Sequence, residues 1–207
     1  MFKNSLLTFL FCTLPLHLNA GENFLPQNFH VQILQEYESA LPGGAKRTSE
    51  GSISYQYPGN IRFEIDAPDQ IILVSNGKKT WYYTAAAFEG EPGELHISPA
   101  QNTGLSSFFD ALKHGLQDNL SYTVQLTSKQ ASLSFVEKMA EEIDIKKALI
   151  KFKNKNKSFQ DISRVELTYL DGHQTAFEFK NIKTSKTFKA DTFKFEAPQN
   201  TRTHSSF

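Results

Sequence analysis

Cysteine is nearly absent from this sequence, which has one among 207 residues, together with one tryptophan and two methionines. A single cysteine excludes a disulfide framework, and the overall composition excludes collagen-like and low-complexity chains. Charge of one sign is not in excess either, because 22 Lys and Arg residues balance 22 Asp and Glu residues. This balance argues against a nucleic-acid-binding protein and against an acidic disordered chain.

Aromatic residues are abundant by contrast, with 18 phenylalanines and seven tyrosines. A chain of this length can form one domain with a substantial core. The aromatic side chains must therefore either pack in that core or line an apolar surface.

The N-terminal segment has the pattern of an export signal. Lys3 precedes an apolar run over residues 6–18, and Ala20 places a small residue before Gly21. We predict a signal peptide over residues 1–20, cleaved after Ala20, because the run is too short to span a bilayer. Phe11 precedes Cys12, where a lipid-attachment site needs a small residue, so Cys12 is not an anchor. The expected mature domain, residues 21–207, is thiol-free and soluble outside the cytoplasm.

Alternation of apolar and polar residues predicts strands along most of the mature chain. The first runs over residues 29–37, for which a helix is the second interpretation. Further strands are predicted at residues 52–57, 61–65, 71–74, 80–84, 95–97, 122–127, 131–136, 143–152, 162–169, 174–182 and 192–196. Pro58-Gly59, Asn76-Gly77 and Asp171-Gly172 mark turns between them.

One segment has a helical period instead. Leu105, Phe108, Phe109, Leu112 and Leu116 form one apolar stripe, which Asn102 or Thr103 can cap and Gly115 can terminate. About eleven antiparallel strands make a sheet that must curl or close, and the helix can bury its stripe only against that sheet. The fold class is therefore mainly β, a single antiparallel sheet curled into an incomplete barrel with one helix over its interior. A filled core and an apolar cavity both remain open.

Alternation also predicts which strand residues point inward. The inward set is Ile53, Tyr55, Tyr57, Ile61, Phe63, Ile65, Ile72, Val74, Trp81 and Tyr83. The helix adds Leu105, Phe108, Phe109 and Leu112 from the opposite side. For each of these residues, core packing and ligand contact are both open.

Motifs of catalysis are missing from the sequence. It contains no Gly-x-Ser-x-Gly, no His-Glu-x-x-His, no phosphate-binding loop and no Gly-x-Gly-x-x-Gly. The histidines of the mature chain are scattered without ligand spacing, so no metal, cofactor or enzymatic activity is predicted. A lipid hydrolase is the weakest of the alternatives.

Lysines are concentrated between residues 146 and 157. Alternation places Lys151, Lys153, Lys155 and Lys157 on one face of a strand and its following loop. Two interpretations stay open: a solvated face that lysine keeps from aggregating, and a docking surface for an acidic transporter or for anionic headgroups.

The stretch over residues 51–83 resembles the periplasmic outer-membrane lipoprotein carrier family, LolA. It reads Gly51-Ser-Ile-Ser-Tyr-Gln-Tyr-Pro58, then Ile61-Arg-Phe63, Pro68-Asp69, Ile72-Leu-Val-Ser-Asn-Gly-Lys78 and Trp81-Tyr-Tyr83. The final Phe193-Lys-Phe195-Glu-Ala-Pro198 is similar to the family's last strand, and residues 105–112 stand where the family has a lid helix.

The resemblance implies an eleven-stranded half-open barrel with helical lids over a hydrophobic cavity, and Ile61 and Phe63 match cavity positions. It implies a monomeric periplasmic carrier without cofactor or enzymatic activity. Such a carrier binds the acyl chains of lipoproteins released by an inner-membrane ATP-driven transporter and delivers them to the outer membrane, in some systems to a receptor lipoprotein. The alternative on the same half-barrel is a lipid- or lipoprotein-sensing regulator of envelope stress.

Two features depart from the family pattern. Tyr57 stands before Pro58, where many members have an arginine that holds the lid, so we hypothesise a looser or more hydrophobic latch. The helix that usually precedes the first strand looks truncated, since only residues 21–28 remain for it.

Overall fold

The computed structural model of this chain describes residues 24–38, 46–67, 69–99 and 103–206. The signal peptide predicted for residues 1–20 and the cleavage site after Ala20 lie outside the described residues. Neither helix of the described ranges is long and apolar enough to cross a membrane.

Twelve strands and two α-helices make up the described fold. The strands are β1 (Asn28–Glu38), β2 (Lys46–Gln56), β3 (Asn60–Ala67), β4 (Ile71–Ser75), β5 (Lys79–Thr84), β6 (Gly93–Pro99), β7 (Tyr122–Leu126), β8 (Gln130–Phe135), β9 (Ile145–Phe152), β10 (Ile162–Tyr169), β11 (Gln174–Lys183) and β12 (Thr201–Ser205). The helices are α1 (Gly104–Ala111) and α2 (Glu137–Ile143), with short 3-10 turns at Leu112–His114 and Phe159–Asp161. The first segment is a strand, as its alternation predicted.

All strands belong to one sheet in the order β12-β6-β5-β4-β3-β2-β1-β11-β10-β9-β8-β7. Neighbouring strands are antiparallel except β12, which pairs with β6 in parallel. The sheet is therefore mixed, it has β7 and β12 as edges, and it stays open as a half-barrel. The mainly β fold class is confirmed, with twelve strands in place of about eleven.

Three expectations about the elements were wrong. Residues 192–196 form no strand; instead Phe193 is buried against the sheet. β12 was missed because its residues are polar and exposed and show no alternation of burial. α2 was missed because only Ala140 and Ile143 of its seven residues are buried, which leaves no helical period to detect.

The apolar face of the sheet changes sides at β4. We call the face that carries Ile53 and Tyr55 the inner face and the other face the outer face. Strand pairing sets Phe63 opposite Leu73 on the inner face, and Arg62 opposite Val74 on the outer face. β4 reads Ile71-Ile72-Leu73-Val74 because it contributes apolar side chains to both faces.

A chain segment covers the outer face beyond β4. Residues 184–200, which we call the strap, connect β11 to β12, and Phe193 packs there with Ile72, Val74, Tyr83 and Leu95. The guanidinium of Arg62 on β3 donates through Nη1 to the carbonyl of Lys194 at 3.1 Å. The fold thus has two apolar clusters: a large one on the inner face and a smaller one beneath the strap.

Candidate functional site

The first helix lies across the inner face at the position predicted for a lid. The Oγ1 of Thr103 caps it by accepting from the backbone N–H of Ser106 at 3.2 Å. Gly104 touches the carbonyl of Ile143 at the end of α2 so closely that a Cβ atom would collide with it. The helix therefore starts against α2 and extends over β2 and β3 from there.

The predicted lid stripe faces the sheet. Phe108 and Leu112 are buried at 0% and 1% exposure, Phe109 is buried at 2%, and Leu105 is half-buried. The spacing predicted this placement because residues three and four apart share a helix face.

Aromatic rings fill the space beneath α1. The ring of Phe29 lies 5.2 Å from that of Tyr55, 5.0 Å from Phe109 and 4.7 Å from Phe159, centre to centre. Tyr55 and Phe109 are 5.4 Å apart. The structure therefore shows the inner face closed by its own side chains, in contacts typical of a packed core.

One carboxylate fastens α1 to the sheet. The hydroxyl of Tyr55 donates to Oδ1 of Asp110, and the backbone N–H of Gly59 donates to the same oxygen at 3.0 Å. Tyr55 is on β2 and Gly59 is in the turn to β3, so Asp110 joins the helix to both strands. We call Asp110, Tyr55 and Gly59 the latch. Burial and the hydrogen bond to Asp110 raise the pKa of Tyr55 far above its usual range, so the hydroxyl stays a donor.

A second tyrosine holds the end of the helix. The hydroxyl of Tyr122 on β7 donates to the carbonyl of Gly115 at 2.6 Å and to that of Ala111 at 3.2 Å. Burial raises the pKa of Tyr122 to about 12. This contact connects the end of α1 to an edge strand of the sheet.

Tyr57 is not the hydroxyl donor of the latch. Its ring lies beneath the ammonium group of Lys113, with Nζ 4.0 Å from the ring centre, and its hydroxyl has no hydrogen-bond partner among the described residues. The lid of this chain is therefore held by a carboxylate on the helix and donors on the sheet. We hypothesised a looser or more hydrophobic latch, and its hydrophobic half is corrected because the contacts of Asp110 with Tyr55 and Gly59 are polar.

Six of the ten predicted inward residues lie together under or beside α1. Ile53, Tyr55, Ile61 and Ile65 are buried in the inner cluster, and Phe63 and Tyr57 pack at its margin half-buried. The ring of Phe63 makes an edge contact with Phe177 of β11, with centres 6.3 Å apart.

The other four predicted residues lie on the outer face, which corrects the expectation of one shared face. Ile72 pairs with Tyr83, and Val74 with Trp81, so all four share one side. They pack with Phe193 and its neighbours in the strap, away from α1. The physical reason is the apolar run of β4, which gives no indication of which alternate residues face inward.

The inner face also includes residues that the sequence pattern did not predict. Pairing places Ile71 and Leu73 of β4 and Tyr82 of β5 beside Phe63. Tyr82 is 42% exposed, so the inner face continues past α1 as a partly open surface. The run in β4 carried the signal for Leu73, whereas nothing local marked Asp110 as a latch.

Ion pairs organise the outer face of β1, β10 and β11. Arg164 donates to Glu36 at 2.5 Å and to Glu166 at 2.8 Å, and its third partner, Glu178, is 3.4 Å away. The hydrogen bond from Arg164 lowers the pKa of Glu36 below its usual range. Within the described ranges, no group of three or more His, Cys, Asp and Glu residues could hold a metal ion.

Comparison with known proteins finds a family that this sequence matches. A family model described as outer membrane lipoprotein carrier protein LolA matches residues 28–196. An outer-membrane lipoprotein carrier protein of Francisella tularensis is 27% identical, and the match covers 84% of this chain and 82% of that protein. One from Coxiella burnetii is 24% identical, with coverage of 72% and 67%. A solved LolA superfamily protein from Nitrosomonas europaea has a TM-score of 0.41 at 11% identity, with coverage of 82% and 91%.

Proposed function

This chain belongs to the outer membrane lipoprotein carrier family, and we propose that it holds lipoprotein acyl chains between α1 and the inner face of the sheet. Its function is that of a periplasmic lipoprotein carrier. The observation that carries the proposed site is α1 itself, an eight-residue helix whose apolar stripe covers the inner face and whose connection to β2 and β3 is one carboxylate.

The physical need for such a site follows from the hydrophobic effect. Each buried methylene group is worth about 0.8 kcal/mol, so exposing one long acyl chain to water costs about 10 kcal/mol. A lipoprotein with several chains therefore needs an apolar surface throughout its passage between membranes. The inner face supplies one through Ile53, Ile61 and Phe63, and continues through Leu73 to Tyr82.

Several features make α1 a weakly held cover. A helix of eight residues is marginal by itself in water. The hydroxyl of Ser107 is buried without a hydrogen-bond partner among the described residues, which opposes closure by about 1–3 kcal/mol. Loading then consists of lifting α1 from the sheet, after which acyl chains take the place of Phe108 and Phe109.

The same side chains promote release. When α1 closes, Phe108 and Phe109 compete with bound chains for the inner face, so the carrier does not hold its cargo as tightly as an open apolar groove would. An acceptor that binds acyl chains more strongly can then receive them. This competition explains why the closed form contains a packed core and still suits a carrier.

The proposal also covers export, location and the membranes between which the protein carries its cargo. Residues 1–20 direct export, and the mature protein works in the periplasm without catalysing a reaction. It receives lipoproteins from an ATP-driven transporter of the inner membrane and delivers them to the outer membrane, to a receptor lipoprotein where one exists. The family membership and the export pattern of the N terminus support these assignments.

Photocrosslinking tests which face binds the acyl chains. We would place benzoylphenylalanine at Phe63 in one variant and at Trp81 in another, and load each with a triacylated lipopeptide. Both residues are half-buried aromatics of the predicted inward set, but Phe63 is on the inner face and Trp81 is beneath the strap. We expect crosslinks to the acyl chains from position 63 and none from position 81.

Two results would count against the proposed site. Crosslinking from position 81 alone would move the acyl chains to the outer face. Equal crosslinking from both positions would indicate non-specific contact. Circular dichroism of both variants controls for misfolding, and an unacylated peptide of the same sequence controls for binding through the peptide.

A further inference from the structure

Six lysines gather at one end of the half-barrel. Three turns or loops meet there, at residues 127–129, 153–161 and 183–186. The ammonium of Lys129 donates to the carbonyl of Lys153 at 3.1 Å, and the amide of Gln160 donates to the hydroxyl of Thr184 at 2.7 Å. The lysines are Lys129, Lys153, Lys155, Lys157, Lys183 and Lys186, which we call the basic end.

Among the described residues, none of the six lysines forms an ion pair with a carboxylate. The single acidic residue of the three segments, Asp161, instead accepts from the hydroxyl of Ser158 at 2.7 Å and from the amide of Asn154 at 2.8 Å. Burial and the nearby charges of Lys186 and Lys183 lower the pKa of His30, which agrees with a positive field at this end.

The opposite end of the strands is acidic. Its turns, α2 and the end of β3 expose the acidic residues Asp66, Asp69, Glu89, Glu91, Glu137, Glu141, Glu142, Asp144 and Asp171. Lysines are fewer there, and the molecule, although close to neutral overall, has positive and negative charge at opposite ends of its strands. Such a distribution orients a protein in the field of a charged surface before contact.

The chemistry of the basic end suits a lipid surface better than a protein. Stable protein interfaces favour Arg and aromatic anchors and are poor in Lys. At the basic end the cationic side chains are all lysines, whereas Arg62, Arg164 and Arg202 lie elsewhere and are each paired with a glutamate. Flexible point charges spread over several loops match fluid anionic headgroups, which need no fixed partner geometry.

The basic end is also continuous with the latch. Phe24, at the start of the described chain, packs on Phe159 between the lysines, with ring centres 6.0 Å apart. Three residues later, Gln27 exchanges hydrogen bonds with Tyr57 at 2.9 and 3.0 Å, beside the turn that contains Gly59. A surface that contacts the basic end therefore lies close to the point where α1 is fastened.

We propose that the basic end docks the protein on anionic phospholipid headgroups, with the latch turned toward the membrane. Docking would add to the carrier function by holding the lid helix α1 close to the membrane. Acyl chains leave that membrane during loading or enter it during delivery. Docking is separate from acyl-chain binding, because none of the six lysines lies on the inner face of the strands.

Vesicle binding tests this proposal with a charge-matched pair of variants. The full mature protein would be sedimented with vesicles of phosphatidylcholine, and with vesicles of equal parts phosphatidylglycerol and phosphatidylcholine. One variant combines Lys129→Gln, Lys153→Gln and Lys155→Gln, and the control combines Lys138→Gln, Lys146→Gln and Lys147→Gln at the acidic end. All six positions are exposed, and both variants lose the same net charge.

We expect the wild type and the control to bind only the phosphatidylglycerol vesicles, and added salt to weaken that binding. The basic-end variant should bind at least about tenfold more weakly than the wild type. Equal losses in both variants, or no binding by the wild type, would overturn the proposal. So would a basic-end variant that binds vesicles normally but releases no lipoprotein from spheroplasts, since that result indicates an acidic protein partner. If the proposed function holds, acyl-chain crosslinking from position 63 stays intact whether or not the vesicle experiment supports docking.

Discussion

Replacing Tyr55 with phenylalanine removes one hydroxyl from the latch and leaves the ring in place. Asp110 then keeps only the backbone N–H of Gly59 as a donor. A hydrogen bond to a charged group contributes about 1.5–3 kcal/mol. Because 1.4 kcal/mol is a factor of ten in an equilibrium constant, we expect the opening equilibrium of α1 to rise about 10- to 100-fold.

Hydrogen exchange measures that equilibrium directly. Amides of residues 104–111 exchange through local opening, so their protection should fall by the same factor, while amides in β9 and β10 keep theirs. Tyr57→Phe is the matched control. It also removes one phenolic hydroxyl two residues away, but that hydroxyl has no hydrogen-bond partner in the described part of the chain.

Two results would refute the latch. Unchanged protection of α1 in Tyr55→Phe would mean that Asp110 does not hold the helix closed. An equal loss of protection in Tyr57→Phe would mean that the phenolic hydroxyls act through general packing. A loss spread over β9 and β10 as well would indicate global destabilisation, which a urea titration of both variants would measure.

Two further predictions concern the rest of the fold. Phe193→Ala opens the cluster beneath the strap, where Phe193 is only 8% exposed, and should lower the free energy of unfolding in urea by about 3 kcal/mol; an unchanged midpoint would contradict a packed strap. Because Arg164 lowers the pKa of Glu36, the ion pair stabilises the fold above the unfolded pKa of 4.5 and this contribution is lost as pH falls below it. Arg164→Met should therefore flatten the decline of stability in acid, and parallel curves for variant and wild type would exclude this cause.

Alternation along the strands predicted much of the fold. Apolar residues alternate along β2 and β3, so Ile53, Tyr55 and Ile61 were correctly predicted to share one face. The helical period identified α1 and its buried residues for the same reason: one side of each element is apolar and the other is polar.

The register failed where this contrast disappears. In β4 four apolar residues follow one another, so the pattern does not show which of them face inward. Ile72 and Val74 were predicted to face inward, which was wrong. Trp81 and Tyr83 were then also placed on the wrong face, because each pairs with one of these residues in the hairpin. The change of the apolar face at β4 depends on the strap, which is more than a hundred residues away in sequence. Local patterns carry no information about such a contact.

The latch could not be found from sequence for a similar reason. Asp110 is one polar residue in an amphipathic helix, and its spacing does not distinguish a solvent-exposed carboxylate from one that accepts two hydrogen bonds. Its partners come from β2 and the following turn, about fifty residues earlier. Only the folded arrangement brings the three groups together.

The most direct test of the carrier account is intact-complex mass spectrometry of the mature protein, purified gently from its native periplasm. A carrier should be found in a complex with one acylated lipoprotein, and that complex should be lost when Phe63 is replaced by aspartate. A protein that carries only free phospholipid or nothing, and that releases no lipoprotein from spheroplasts, would contradict the carrier account.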